Sequence, residues 1–225
     1  MDYLYLDKIK SPSDIKNLNN EQLTLLCEEI RDRMLDTVSH NGGHLASGLG
    51  TVELTVALHK AFNSPEDTII FDVGHQCYTH KLLTGRFDKF DSLRLENGIS
   101  GFIRPCESAH DSFISGHSST SVSSAVGVSK ANELLGNNHY SVAVIGDGAM
   151  TGGMVYEAFN NINKLDKNFI VILNDNKMSI SKNRSTISKH LTKIRTEKRY
   201  FTFKSGVERF LVKIPLIGKF LKSVV

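Results

Sequence analysis

Two short polar tracts each follow an apolar run: Gly146-Asp147-Gly148 after residues 140–145, and Asn174-Asp175-Asn176 after residues 169–173. Glycines behind a buried strand let the chain turn tightly and bring backbone amides against a bulky anion. Asp147 offers an anionic oxygen to a hard divalent cation, and Asn176 a neutral carboxamide oxygen. Such a pair suits Mg2+ shared with phosphate oxygens, with water and ligand completing the octahedron. A turn explains the first tract alone about as well. Both tracts together demand two neighbouring strand ends, a much narrower requirement. Elsewhere His44, His75 and His117 sit in polar tracts of their own, with His80 and His110 nearby in sequence. An imidazole can donate to a phosphate oxygen or a developing alkoxide and can move a proton near neutral pH. Taken singly, His44, His75 or His117 is more readily a structural or surface residue.

The elements that must position these groups follow from periodicity. Leu23, Leu26, Cys27, Ile30, Met34 and Leu35 recur at helical spacing, which predicts a helix capped by Asn19 or Asn20, running to about residue 38 and stopped at Asn41-Gly42-Gly43. A second helix is predicted over 51–62. A buried strand over 68–73 then ends in a Gly74-His75 loop, and a short helix follows over 78–84. No periodicity persists over 86–115, which reads as a long loop of the kind that lines active sites. A helix of small residues is predicted over 120–135, with Ser118, Ser119 and Ser121 as candidate caps. Next come a strand over 140–145, a helix over 152–163 and a strand over 169–173. This strand–loop–helix–strand pattern predicts an α/β protein with a mostly parallel sheet flanked by helices. Ligands of such sheets sit beyond the carboxyl ends of the strands, where both polar tracts fall.

Composition narrows the classes. Of 225 residues, 40% are hydrophobic and 23% charged, as in a folded globular chain and unlike a disordered one. No apolar run approaches the ~20 residues of a membrane helix, and residues 1–10 carry no signal-peptide core. Cys27, Cys77 and Cys106 are widely spaced with no CxxC, which argues against a disulfide scaffold or structural zinc and for a reducing, cytoplasmic setting. The formal net charge of +3 divides unevenly: residues 177–225 hold 13 bases against two acids, and residues 1–176 hold 14 bases against 22 acids, so +11 opposes −8. A basic tract can face nucleic acid, a phosphorylated ligand or an acidic partner. Its aromatics are few, with Tyr200, Phe201 and Phe203 close together, so nucleic acid is not expected as a partner, and without a long apolar run neither is a membrane. There is no GxSxG elbow, no GxGxxG, and no compact zinc spacing among His44, His75 and His117.

The two tracts belong to a longer set. His44-Leu45-Ala46-Ser47-Gly48-Leu49-Gly50-Thr51-Val52-Glu53-Leu54, Asp72-Val73-Gly74-His75-Gln76, His80-Lys81-Leu82-Leu83-Thr84-Gly85-Arg86, Gly116-His117-Ser118-Ser119-Thr120-Ser121, Gly146-Asp147-Gly148-Ala149 and Asn174-Asp175-Asn176-Lys177-Met178-Ser179-Ile180-Ser181 follow one another along the chain. In these segments the chain resembles the 1-deoxy-D-xylulose-5-phosphate synthases, of the transketolase-like superfamily. The likeness runs from about residue 15 to the last residue.

The resemblance implies a thiamine diphosphate-binding fold with thiamine diphosphate and Mg2+ as cofactors. It implies that Asp147, Asn176 and the carbonyl of Met178 ligate the metal. Gly148 and Ala149 would meet the diphosphate, Gly116, His117 and Ser118 would line the cofactor, His75 would approach its diphosphate or thiazolium side, and His44 would face substrate. It further implies a homodimer that condenses pyruvate with D-glyceraldehyde 3-phosphate to 1-deoxy-D-xylulose 5-phosphate and CO2, feeding isoprenoid and thiamine biosynthesis. Family members are much longer, and the glutamate that activates their aminopyrimidine ring lies in a second domain. Glu53 has no warrant as its substitute. Residues 1–181 are therefore expected to be the diphosphate- and Mg-binding domain, and 182–225 a basic, less ordered part of it. The pyrimidine-binding and C-terminal domains are expected to be absent, and these 225 residues alone are expected to turn over weakly or not at all. The other reading is a cofactor-binding or structural module without catalysis.

Overall fold

The computed structural model describes residues 3–114, 116–162 and 168–175. Asn176, Met178 and the basic tract 182–225 lie outside the described residues. Three strands, β1 (Thr68–Phe71), β2 (Ser141–Gly146) and β3 (Phe169–Asn174), form a parallel sheet in the order β1-β2-β3. Phe71 pairs with Val144, and Gly146 with Asn174.

Successive residues on a strand point to opposite faces, and the core divides accordingly. Ile69, Phe71, Val142 and Val144 join one cluster, packed with Leu26, Ile30, Met34, Val52, Val56 and Tyr78. Ile70, Ala143 and Ile145 join another, with Val122, Ala125, Val155 and Ala158. One face of the sheet is thus covered by α1 (Asn20–Asn41), α3 (Val52–Ala61) and α4 (Tyr78–Lys81), and the other by α5 (Ser121–Leu134) and α6 (Gly153–Ile162). Burial on both faces explains why β2 is an unbroken apolar run rather than an alternating one.

Asn19 caps α1 as its spacing to Gln22 requires. Its side chain accepts the Gln22 amide at 2.9 Å, and the Gln22 side chain accepts the Asn19 amide at 2.8 Å. A five-residue helix, α2 (Leu45–Leu49), sits between α1 and α3, too short to be read from periodicity. Ahead of α1, Glu29 takes the amides of Leu4, Tyr5 and Leu6 on its carboxylate and so fastens the N-terminal segment to the helix. The aperiodic stretch after residue 86 begins with a 3-10 turn, Phe87–Ser92, and then has neither helix nor strand among the described residues up to α5.

That stretch is held by buried charge. The Asp111 carboxylate, 2% exposed, accepts Arg86 Nη1 at 2.7 Å, Arg86 Nη2 at 2.8 Å, His80 Nε2 at 3.0 Å and the Arg104 amide at 2.9 Å. Lys81 Nζ, fully buried, reaches Glu107 Oε2 at 2.5 Å, and the other Glu107 oxygen takes the Ser100 amide at 2.7 Å. Burial lowers the His80 pKa to about 4, so its ring is neutral at neutral pH. Nε2 then carries the proton given to Asp111, and Nδ1 accepts from His59 Nε2 at 2.9 Å. His80 is therefore a structural residue within this network, and so is His59.

Candidate functional site

Parallel strands bring their carboxyl ends to one rim. There Gly146-Asp147-Gly148 leaves β2 directly beside Asn174-Asp175 leaving β3, because Gly146 and Asn174 are register partners. The adjacency that the two tracts required is present. Asp147 is half-buried and Gly148 exposed. Gly148 has φ −65° and ψ −46°, which any residue adopts, and a Cβ there would meet nothing within 4 Å. Neither backbone conformation nor packing within the described residues calls for glycine at 148. Among the described residues no cluster of three His, Cys, Asp or Glu could hold a metal.

At the end of β1 the chain turns sharply through Val73 and Gly74, both at positive φ, with the Gly74 amide on the Asp72 carbonyl. The turn brings out His75, whose ring lies edge-on to that of His44, centroids 5.4 Å apart. The two histidines expected to face substrate and cofactor are thus neighbours. His44 also meets Phe102 edge-on at 6.0 Å, and its amide donates to the Tyr78 hydroxyl at 3.3 Å. Burial, and then the neighbouring His44, lower the His75 pKa below the ordinary imidazole value, against the opposing pull of Asp72. His75 Nδ1 is buried and has no hydrogen-bond partner among the described residues. A buried polar atom left unsatisfied within the protein marks a place for an outside group.

Gly116, His117 and Ser118 lie exposed in the loop before α5. The serines do not cap that helix, contrary to expectation. The cap is Asp72, which is 1% exposed: Oδ1 accepts the Ser119 amide at 2.8 Å and Oδ2 the Ser121 amide at 3.0 Å. A carboxylate offers two charged acceptors where a hydroxyl offers one neutral one, so it outcompetes the local serines. Ser119 instead turns its hydroxyl onto the Ala149 carbonyl at 2.7 Å, from a left-handed backbone at φ 72°. That conformation costs a residue with a Cβ about 1–2 kcal/mol. The loop 116–119 is thereby tied to the residues that follow Gly146-Asp147-Gly148.

Glu53 stands elsewhere. It holds Arg31 across a groove of about 490 Å3 between α1 and α3, lined by none of the candidate site residues. Its hydrogen bond with Arg31 depresses its pKa, the reverse of what a proton donor needs. Burial pushes the Cys77 thiol up to about 12, so it is no nucleophile. Sequence reasoning missed Asp72 as the cap and Phe102 and Tyr78 as walls. Asp72 could have been suspected as a lone acid at a strand end, but Phe102 carries no signal in an aperiodic stretch.

The rim is that of a transketolase-like α/β fold. The chain superposes on transketolase from Campylobacter jejuni with a TM-score of 0.65 at 24% identity, over 80% of this chain and 32% of that one. It superposes on transketolase from Leishmania mexicana with a TM-score of 0.65 at 19% identity, over 76% and 30%. Residues 6–225 match the family model described as 1-deoxy-D-xylulose-5-phosphate synthase. The chain therefore belongs to the 1-deoxy-D-xylulose-5-phosphate synthase family. Relatives of that name include those of Alkaliphilus oremlandii, 55% identical over 96% of this chain, and Caldanaerobacter subterraneus subsp. tengcongensis, 54% identical over 98%. The chain spans about a third of the length of these relatives, 35% in each case. Among the described residues no helix is long and apolar enough to cross a membrane.

Proposed function

We propose that this chain supplies the diphosphate- and Mg2+-binding part of a 1-deoxy-D-xylulose-5-phosphate synthase, condensing pyruvate with D-glyceraldehyde 3-phosphate with loss of CO2. The observation that carries the reading is the register pair Gly146–Asn174, which sets the two polar tips side by side at the strand ends. Thiamine diphosphate, when bound, supplies the stabilised carbanion chemistry. The chain's own residues do the rest. Asp147 holds Mg2+ with Asn176 and the Met178 carbonyl, both outside the described residues. Backbone groups of Gly148 and Ala149 meet the diphosphate, and Gly116, His117 and Ser118 line the cofactor. His75, kept neutral by burial, presents one ring N–H to a cofactor oxygen and one lone pair to a proton. His44, edge-on beside it, faces substrate and shares the wall with Phe102. The cytoplasm and a homodimeric parent accompany this reading, with residues 1–181 as the binding domain and 182–225 as its basic extension.

Calorimetry on the 225-residue chain tests it. Thiamine diphosphate with Mg2+ should bind, thiamine lacking the diphosphate should not, and Asp147→Ala should weaken binding about tenfold or more, one decade being 1.4 kcal/mol. Equal affinity in wild type and Asp147→Ala, or no binding by wild type, would overturn the proposal. The chain alone is expected to bind without turnover, because the pyrimidine-activating glutamate of the family has no counterpart in Glu53.

A further inference from the structure

Asp72 joins three parts of the rim: strand β2, the turn bearing His75 and the loop before α5. Its amide donates to the Val144 carbonyl at 2.8 Å, fixing it to β2. Its carbonyl accepts the Gly74 amide at 2.6 Å and the Gln76 side chain at 3.0 Å, which closes the turn bearing His75. Its carboxylate holds the Ser119 and Ser121 amides, which sets the loop bearing His117 and Ser118. Ser119 then passes the constraint to Ala149, next to Gly148.

We propose that Asp72 is a positioning residue for the cofactor: it fixes the spacing between the His75 turn and the His117–Ser118 loop, and through Ser119 it sets the backbone that follows Asp147. This rests on the thiamine diphosphate reading of the rim. Gly152 belongs to the same device. Its backbone, at φ −75° and ψ 141°, suits any residue, yet a Cβ there would stand 2.1 Å from Ser119 Oγ and 2.7 Å from Ser119 Cβ. Glycine at 152 is required only because Ser119 is held where it is. The lock can therefore be opened from two sides, by removing the acceptor at 72 or by displacing Ser119 from 152.

Asp72→Asn keeps the shape but leaves one acceptor oxygen and turns a donor toward a donor. In the 225-residue chain without cofactor, amide exchange at Ser119 and Ser121 should rise about tenfold to hundredfold, the loss of one charge-assisted hydrogen bond, while exchange in α1 stays put. Gly152→Ala leaves Asp72 intact and should weaken binding of Mg2+ and thiamine diphosphate. Ser119→Gly in the same chain removes both clashing atoms at a left-handed position that glycine accepts, but also the hydroxyl that holds Ala149, so the double variant should regain wild-type stability and still bind more weakly than wild type. Unchanged exchange at Ser119 and Ser121 in Asp72→Asn would overturn the proposal, as would a double variant that binds as tightly as wild type. Should Asp72→Asn not fold, the Gly152 pair decides alone. Should the wild-type chain take up no thiamine diphosphate, the cofactor reading fails, and the exchange measurement still judges whether Asp72 sets the loops.

Discussion

Replacing Asp111 by asparagine tests whether the buried network fastens the long segment before α5. Asp111 and Arg86 are 2% and 4% exposed, so neither can recover its loss in water. The carboxylate accepts four hydrogen bonds, two from Arg86 and one each from His80 and the Arg104 amide. A carboxamide has one acceptor oxygen and removes the charge. Breaking a buried pair from one side costs about 3–5 kcal/mol, mostly the penalty of the abandoned charge. Glu107 Oε2 stands 3.6 Å from Arg86 Nη1 and partly relieves it, so the lower end, about 3 kcal/mol, is expected. With a urea slope of about 1–3 kcal/mol/M, the unfolding midpoint should fall by about 1–3 M with unchanged slope. Lys130→Gln, which removes an exposed pair with Glu133 on α5, should cost less than about 1 kcal/mol. An Asp111→Asn midpoint shift no larger than that of Lys130→Gln would refute the argument.

Acid should weaken the same network in two stages. Folding depresses the pKa values of His80, to about 4, and of His59, so the unfolded chain binds protons first and stability falls as pH drops from about 6.5 toward 4. Asp111 is also held below its ordinary value, against the opposing effect of burial, by hydrogen bonds from His80 and Arg86, so its contribution is lost only below the carboxylate range near 3.8. Urea titrations from pH 8 to 3 check both windows, and a pH-independent midpoint between 6.5 and 4 would contradict them. Among the cysteines, exposed Cys106 should react with a thiol reagent under native conditions. Cys77, pushed up to about 12 by burial, and Cys27, to about 11, should react only on unfolding.

Much of the fold was legible because its signals are local. The capping asparagine at the start of α1, the apolar runs of β1 to β3 and the small residues of α5 each sit within a few residues of the element they specify. The paired tips at Gly146 and Asn174 were also legible, since parallel strands separated by one helix must end together. What escaped joins distant segments. The Asp72 cap reaches 47 and 49 residues along the chain, and local chemistry favoured the nearby serines instead. His80 could not be separated from the site histidines until His59, Asp111 and Arg86 closed around it. Phe102 owes its place beside His44 to a segment whose shape comes from buried charge rather than from periodicity. Asn176 and Met178, proposed as Mg2+ donors, lie outside the described residues.

The spatial order β1-β2-β3 is also the order of synthesis. Among the described residues, β2 and then β3 each find a neighbour already made when they leave the ribosome, so these strands can pair by addition at one edge. The addition of β3 is the one that brings Asn174 against Gly146. Translation therefore builds the β1–β2 scaffold first and sets the two polar tips together only when β3 arrives.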